Sequence, residues 1–303
     1  MRFPNLKHLY YLSVLHHEQH FARAAQKCNV SQSTLSTAIQ NLEENIGKQL
    51  LEREHKNFVF TDFGEGLVER SKLLLTHTQE WSNYAESSGD WQAGTLKLGV
   101  IPTIAPFLFE DIITQVSEHL PKLQLQMAED NTDNLLEKLS DGDLDLLLLA
   151  LPMKTPGCKQ LILGNDPFHL VAHKDRAKML KNSIDIDELP NDSIFLLQKE
   201  HCLTDHAVSA CGLAHKAQVS NLAASSLHTL VALVNSKMGF SFLPEMALDS
   251  GLLNSTDVVA MPADHQAFRE VGLVWRVGTT RVQLFRKVGL LISQLLPEPN
   301  TDL

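Results

Sequence analysis

Residues Leu144 to Leu151 comprise six leucines, one alanine and one aspartate. The run is far short of the 18 or so apolar residues that cross a bilayer, and it lacks the alternation of a strand with one wet face. It reads as a strand buried on both sides, which requires helices over each face. Its flanks agree. An alternating strand passes through Leu96, Leu98 and Val100, a helix follows Pro106, a second strand lies near Leu123–Met127, and another helix precedes the leucine run. Units of this kind build a mostly parallel sheet covered by helices. The pattern then recurs, with strands at Phe168–Ala172, Ile194–Leu197 and Phe240–Leu243 and a helix from Ser226 to about Asn235. Val271–Val277 reads as a returning strand and 281–295 as a terminal helix.

A chain of 303 residues, 44% apolar and 20% charged, is expected to form two or three domains. Tyr10–Leu15 is too short and too closely flanked by histidines to be a secretory core. The expected compartment is therefore the reducing cytoplasm, with no membrane partner and no structural disulfides. The net charge of −10 argues against a polyanionic partner, but it is uneven. Residues 1–60 carry seven Lys/Arg against five Glu, so a DNA-binding head on an acidic body fits the distribution.

Within that head, Asn5 caps a first helix written by Leu6, Leu9, Tyr10 and Val14. A short second helix from about Phe21 to Lys27 has Ala24 and Ala25 for close crossing, and Asn29-Val30 makes a turn. Ser31 caps a third helix whose buried face is Leu35, Ile39, Leu42 and Ile46, with Gly47 as its stop. Off that face lie Gln32, Ser33, Thr34, Ser36, Thr37 and Gln40. A solvated face is normally rich in Lys and Glu; this one offers uncharged hydrogen-bonding groups, as the recognition helix of a helix-turn-helix does. Arg53 and Lys56, around a small hairpin at Glu54–Phe60, are candidate phosphate contacts. Thr61 caps a long helix to about Ser87, on which Leu67, Leu74 and Trp81 repeat every seven residues. That stripe suits pairing with a second chain. Ser87-Ser88-Gly89-Asp90 marks a hinge.

Cys202 and Cys211 stand nine positions apart. If the intervening residues are helical, their Cα atoms are roughly 13 Å apart, whereas a disulfide needs about 4.4–6.8 Å. Spacing alone leaves three readings: a redox pair that closes only on local unfolding, a zinc site using Cys202, His206, Cys211 and His215, or two unrelated buried thiols. Cys28 and Cys158 read as inert. Histidines elsewhere show no metal spacing.

Ala24-Ala25, Ser31-Gln32-Ser33-Thr34-Leu35-Ser36, Ile39, Leu42-Glu43 and Gly47 through Leu50-Leu51-Glu52-Arg53 resemble the winged helix-turn-helix of LysR-type transcriptional regulators. Phe63 departs from that pattern, where the family usually has alanine. The resemblance implies an α/β fold class with a winged helix-turn-helix at 1–60, a linker and dimerisation helix with its hinge at 61–90, and a two-lobed, periplasmic-binding-protein-like regulatory domain at 91–303. Lobe I is expected over about 91–164 and 268–303, and lobe II over about 165–267.

The body is most similar to the peroxide-sensing, OxyR-type members of that family, through Ile101-Pro102-Thr103, Thr132, His201-Cys202-Leu203-x-Asp205, Cys211 and Gly272-Leu273-Val274-x-Arg276. The resemblance implies that Cys202 is oxidised to a sulfenic acid and resolved by Cys211, with Thr103, Thr132, His201, Asp205 and Arg276 lining the peroxide pocket. It further implies promoter DNA, cellular thiol reductants and RNA polymerase as partners, a tetramer built from dimers, no cofactor and no enzymatic turnover. Chemistry supports the assignment, since the thiolate is the form that attacks peroxide and basic neighbours favour it. Asp205 has the wrong sign for that and suits an orienting role. Glu200 stands where these sensors commonly have glycine, and is expected to tune sensitivity. The rival readings are the zinc site, a thiol peroxidase, and a regulator that answers a small organic effector between the lobes.

Overall fold

A computed structural model describes residues 3–54, 57–86, 89–178, 186–198, 202–262 and 267–296. The chain divides into two compact units, residues 1–88 with 140–142, and residues 89–139 with 143–303.

In the first unit, α1 (Leu6–Glu18), α2 (Phe21–Lys27) and α3 (Gln32–Ile46) precede a hairpin of β1 (Leu51–Glu54) and β2 (Asn57–Phe60), then the long α4 (Asp62–Glu86). Local chemistry sets these boundaries. Asn5 accepts the Lys7 amide at 2.9 Å, Ser31 accepts the Thr34 amide at 3.1 Å, and α3 stops at Gly47, whose φ of 71° suits glycine. Leu12, Leu15, Ala24, Leu35, Ile39 and Leu42 close the core between the helices. Thr61 caps α4 by accepting the Gly64 amide at 3.0 Å. A Cβ on Gly64 would sit 2.3 Å from the Leu50 carbonyl oxygen, so only glycine allows this approach of α4 to the hairpin. The seven-residue stripe on α4 is not uniform. Leu67 packs against the head core, whereas Leu74 and Trp81 are exposed.

In the second unit, β3 (Gly94–Val100), α5 (Ala105–His119), β4 (Leu123–Glu129), α6 (Thr132–Asp141) and β5 (Leu146–Leu151) form a parallel β4-β3-β5 array. The leucine run is its fully buried strand. After β6 (Cys158–His173) come α7 (Lys174–Ala177), β7 (Ile194–Leu197), α8 (Cys202–Ala210), β8 (Val219–Ala224), α9 (Leu227–Asn235), β9 (Phe240–Pro244), α10 (Glu245–Asp249), β10 (Val258–Pro262), β11 (Phe268–Arg276) and α11 (Val282–Ser293). The strand order is β4-β3-β5-β11-β6-β9-β7-β8, with β10 also on β6.

One strand serves both lobes. Up to Pro167, β6 pairs antiparallel with β11; from Phe168 it pairs with β9 and β10. Each lobe has its own hydrophobic cluster. The expectation of a mostly parallel sheet is therefore corrected. The two strands that carry the chain between lobes, β6 and β11, are antiparallel to each other and lie in the middle of the order. The first part of β6 escapes a pattern reading because Gly164-Asn165-Asp166-Pro167 looks like a turn, yet Asn165 and Asp166 are buried in the crossing. Among the described residues no helix is long and apolar enough to cross a membrane.

Candidate redox site

The parallel strands β3, β4 and β5 end side by side; Thr103 lies in the loop beyond β3, Thr132 opens α6 beyond β4, and Ala150 lies near the end of β5. Carboxyl ends of parallel strands in an open α/β sheet are where such folds place their ligands. Helix α8 supplies Cys202 to this place.

Helix α8 is bracketed by the two cysteines. Cys202 is its first residue, and the Thr204 hydroxyl ties that end to the Leu197 carbonyl at 2.8 Å. At the other end the Cys211 amide reaches Ala207 and the Leu213 amide reaches Val208, both at 2.9 Å, with Gly212 at φ 64°. That is a Schellman termination with Cys211 as the cap. Leu203 and Ala207 bury α8 in the lobe II cluster, and Cys211 packs against that same cluster, whereas Cys202 packs against the cluster of lobe I. All four cysteines are free thiols. A helical rise over nine residues separates the Cα atoms of the pair by roughly 13 Å. Unwinding α8 is the way to bring them together.

Burial pushes the Cys202 thiol above its ordinary value, and the charge of Asp205 pushes in the same direction. The Thr132 hydroxyl, the Arg269 guanidinium and the Ala150 amide pull it down without cancelling the burial. The Thr132 hydroxyl is buried and makes no well-formed hydrogen bond among the described residues. His206 follows Cys202 by one helical turn. Burial and Arg269 push its imidazole below the ordinary histidine value, opposed by Asp205 and by a hydrogen bond to the Ala150 backbone. Cys211, walled in by apolar side chains, is pushed up to about 12.

Arg269 organises the floor. Its side chain is fully buried on β11, opposite Asp166 of β6, which accepts from Nε and Nη2 at 2.8 Å. Nη1 donates to the Thr103 hydroxyl at 2.8 Å and Nη2 to the Thr103 carbonyl at 2.9 Å. Asp166 also accepts the Met246 amide at 3.1 Å, at the start of α10. Burial pushes the Asp166 carboxyl up while Arg269 and the Met246 amide pull it down. One ion pair thus joins a lobe I loop, both crossing strands and a lobe II helix.

The structure brings Cys202, Thr132, Thr103 and Asp205 to this site, with Cys211 at the far end of α8. It does not bring Arg276. That guanidinium is buried elsewhere, donating to the Leu139 carbonyl and to the Leu144 carbonyl at 2.6 Å, where it closes the end of α6. The guanidinium at Thr103 is that of Arg269, which sequence reasoning missed, and His206 entered that reasoning only as a possible zinc ligand. The zinc set is not assembled, because Cys202 and Cys211 face different clusters and His215 is exposed beyond Gly212. Glu200 and His201 lie outside the described residues.

On α3 of the head, Gln32, Ser33, Thr34, Thr37 and Gln40 are exposed and Ser36 is half-buried. Ser31 is occupied by its cap and by hydroxyl contacts to Ser33 and Thr34 at 2.9 and 2.7 Å, which orient the N-terminal turn. Arg53 lies on β1 opposite Phe58, and Lys56 is outside the described residues.

Two family models match the chain: the bacterial regulatory helix-turn-helix of the lysR family over residues 6–65, and the LysR substrate binding domain over 90–292. The HTH-type transcriptional regulator EstR of Acinetobacter baylyi is 37% identical over 277 residues, 91% of this chain and 92% of that protein. A hydrogen peroxide-inducible genes activator of Escherichia coli O157:H7 is 32% identical over 275 residues, covering 91% and 90%. Among solved structures, the reduced regulatory domain of OxyR2 from Vibrio vulnificus is 46% identical with a TM-score of 0.66, covering 68% of this chain and 97% of that one.

Proposed function

The chain belongs to the LysR family of DNA-binding transcriptional regulators, and from that premise we propose that it senses hydrogen peroxide through Cys202 and Cys211. One observation carries the reading: the two thiols stand at opposite ends of one nine-residue helix and pack, half-buried, against the clusters of different lobes. Oxidation at one end then requires the helix to unwind before the other end can respond.

Peroxide enters beside Cys202, where the Thr132 and Thr103 hydroxyls offer hydrogen bonds to its two oxygens. Arg269 supplies the positive charge that favours a thiolate and a departing hydroxide. The sulfenic acid condenses with the Cys211 thiol, releasing water. Rearrangement of 199–215 changes how copies of the chain associate, and with that the spacing of the α3 helices on promoter DNA. Leu74 and Trp81, exposed on α4, suit pairing between copies into dimers and tetramers. Cellular thiols reset the bond, and RNA polymerase reads the altered complex. His201 and Glu200, next to the reactive thiol in sequence, are assigned to the pocket and to its sensitivity.

The test is DNA footprinting of reduced, peroxide-treated and Cys202→Ser protein. The oxidised footprint is expected to differ from the other two. Identical footprints in all three would end the proposal. The second reading, a small organic effector between the lobes, draws on the likeness to EstR. A thermal shift with an effector panel, persisting in Cys202→Ser protein without any response to peroxide, would favour it.

A further inference from the structure

Resting on the peroxide reading of Cys202, we propose that Met246 is a second peroxide-oxidised sulfur at this site. Its sulfoxide is received by Arg269 and loosens the hold of that guanidinium on Thr103.

Met246 stands at the start of α10 and meets both members of the buried ion pair. Its amide donates to Asp166 at 3.1 Å, and its thioether sulfur accepts from Arg269 Nη2 at 3.6 Å. Ala247 beside it is buried in the lobe II cluster, while the Met246 side chain packs half-buried against that of lobe I. Met127, Met153 and Met261 are half-buried too, yet among the described residues only the Met246 sulfur has a hydrogen-bond donor. A thioether that gains an oxygen in an apolar wall leaves a buried polar atom unpaired. At Met246 the new oxygen forms within reach of a buried cation, whose charge-assisted hydrogen bonds are the strong kind.

Nη2 carries two N–H groups and faces three acceptors: the Asp166 carboxylate at 2.8 Å, the Thr103 carbonyl at 2.9 Å and the thioether at 3.6 Å. Sulfur is the weakest of the three and leaves the other two in place. A sulfoxide oxygen is a strong acceptor, and it displaces the neutral carbonyl in preference to the carboxylate. Thr103 then keeps only the Nη1 bond to its hydroxyl at 2.8 Å, and its loop loses an anchor. The oxidant is the hydrogen peroxide drawn to the Thr103 and Thr132 hydroxyls. The sulfur lone pair turned away from Nη2 attacks the near peroxide oxygen, the O–O bond breaks, and the proton of the transferred oxygen passes to the departing hydroxide. Sulfur gives up two electrons, leaving sulfoxide and water. The flexible side chain then turns the new oxygen to Nη2. Thiol reductants reset a disulfide whereas a sulfoxide needs its own reductase, so the change outlasts the cycle of Cys202 and Cys211.

The test exposes full-length reduced protein to excess hydrogen peroxide and maps sulfoxides by timed peptide mass spectrometry. Met246 is expected to oxidise at least about fivefold faster than the equally half-buried Met127, Met153 and Met261. It should form a single epimer, which one of the two epimer-specific methionine sulfoxide reductases repairs and the other does not. Protein then reset with thiol reductant, keeping its Met246 sulfoxide, meets a second pulse of peroxide. Cys202 sulfenic acid formation, trapped and read by mass spectrometry, is expected to be at least about threefold slower than in the first pulse, and to recover in step with Met246 repair. Met246→Leu taken through the same cycle should return to its own first-pulse rate. Met246 oxidation no faster than at the other three, an even mixture of epimers, or the same second-pulse loss in Met246→Leu overturns the proposal. Should that variant fail to fold, the epimer and the recovery on repair decide in the wild type. If wild-type Cys202 is not oxidised at all, the peroxide reading has failed and this proposal with it; Cys202 oxidation that ignores the Met246 sulfoxide overturns the second sulfur alone.

Discussion

Ser209 is exposed on the last turn of α8, far from Cys202 and next to the half-buried Ala210 and Cys211. Replacing it by glycine or by alanine alters the cost of unwinding and little else. The two differ by about 1 kcal/mol in helix propensity, a factor of about five in the unwound population. The thiol of Cys211 makes the same requirement chemically. Held near 12 inside the helix, it is about one part in 10⁵ thiolate at pH 7; exposed by unwinding, it returns toward its ordinary value of 9.0 and gains about a thousandfold. Reach and reactivity are therefore both delivered by unwinding, and disulfide closure should scale with the unwound fraction. The assay is a single pulse of peroxide on reduced full-length protein, followed by timed quenching and mass spectrometry. It separates second-order sulfenic acid formation from first-order closure. Ser209→Gly is expected to close about five times faster than Ser209→Ala, with the same peroxide step in both. Equal closure rates, in variants whose α8 amides exchange at different rates, would refute the reasoning.

Asp205→Asn removes the charge that helps hold the Cys202 thiol up, so the thiolate fraction grows. Oxidation at pH 7 is expected to quicken about two- to fivefold, the size of one partly screened charge, as read by the same trapping. Arg269→Gln leaves the Asp166 carboxylate buried without its partner, at a cost of about 3–5 kcal/mol. Calorimetry should show the regulatory unit melting about 6–20 °C lower, with part of the loss recovered by adding Asp166→Asn. Arg276→Gln, by contrast, should leave peroxide oxidation of Cys202 within twofold, because that guanidinium serves the end of α6. In the head, Gly64→Ala drives a Cβ into the Leu50 carbonyl and should abolish DNA binding in a gel-shift assay, while Gly66→Ala, whose nearest neighbour is the movable Arg70 side chain, should bind normally.

What the sequence made readable was local. The boundaries of α3 follow from Ser31, Gly47 and three-four spacing, and the six leucines before Pro152 could only be a buried strand. The cysteine interval also survives, because helical rise converts a count of residues into a distance. Arg269 was unreadable for the opposite reason. Its partner lies 103 positions away, and their meeting depends on the register that places Arg269 against Asp166 across β11 and β6. Arg276 sits seven positions further along the same strand, about 23 Å at strand rise, so one site cannot use both.

The placement of the two thiols also bears on reversibility. Closing a ring of about ten residues removes about 2.5–3 kcal/mol of freedom from the unfolded chain, which favours the oxidised form. Against it stand the helical hydrogen bonds of α8, its Schellman end, and the burial of Cys202 in one lobe and Cys211 in the other. A nine-residue helix is too short to persist without tertiary packing, so most of that opposing term is side-chain burial. The terms are of similar size and opposite sign, which keeps the disulfide within reach of thiol reductants. Strengthening either side breaks the balance in a defined direction. A better-packed α8 gives a regulator slow to close and easily reduced, and a poorly packed one gives a bond that forms readily and persists. Glu200, two positions before Cys202 in the sequence, is expected to adjust that balance. If Glu200→Gly changes closure and reduction in opposite senses, its influence runs through α8; a change confined to the peroxide step would place it in the pocket instead.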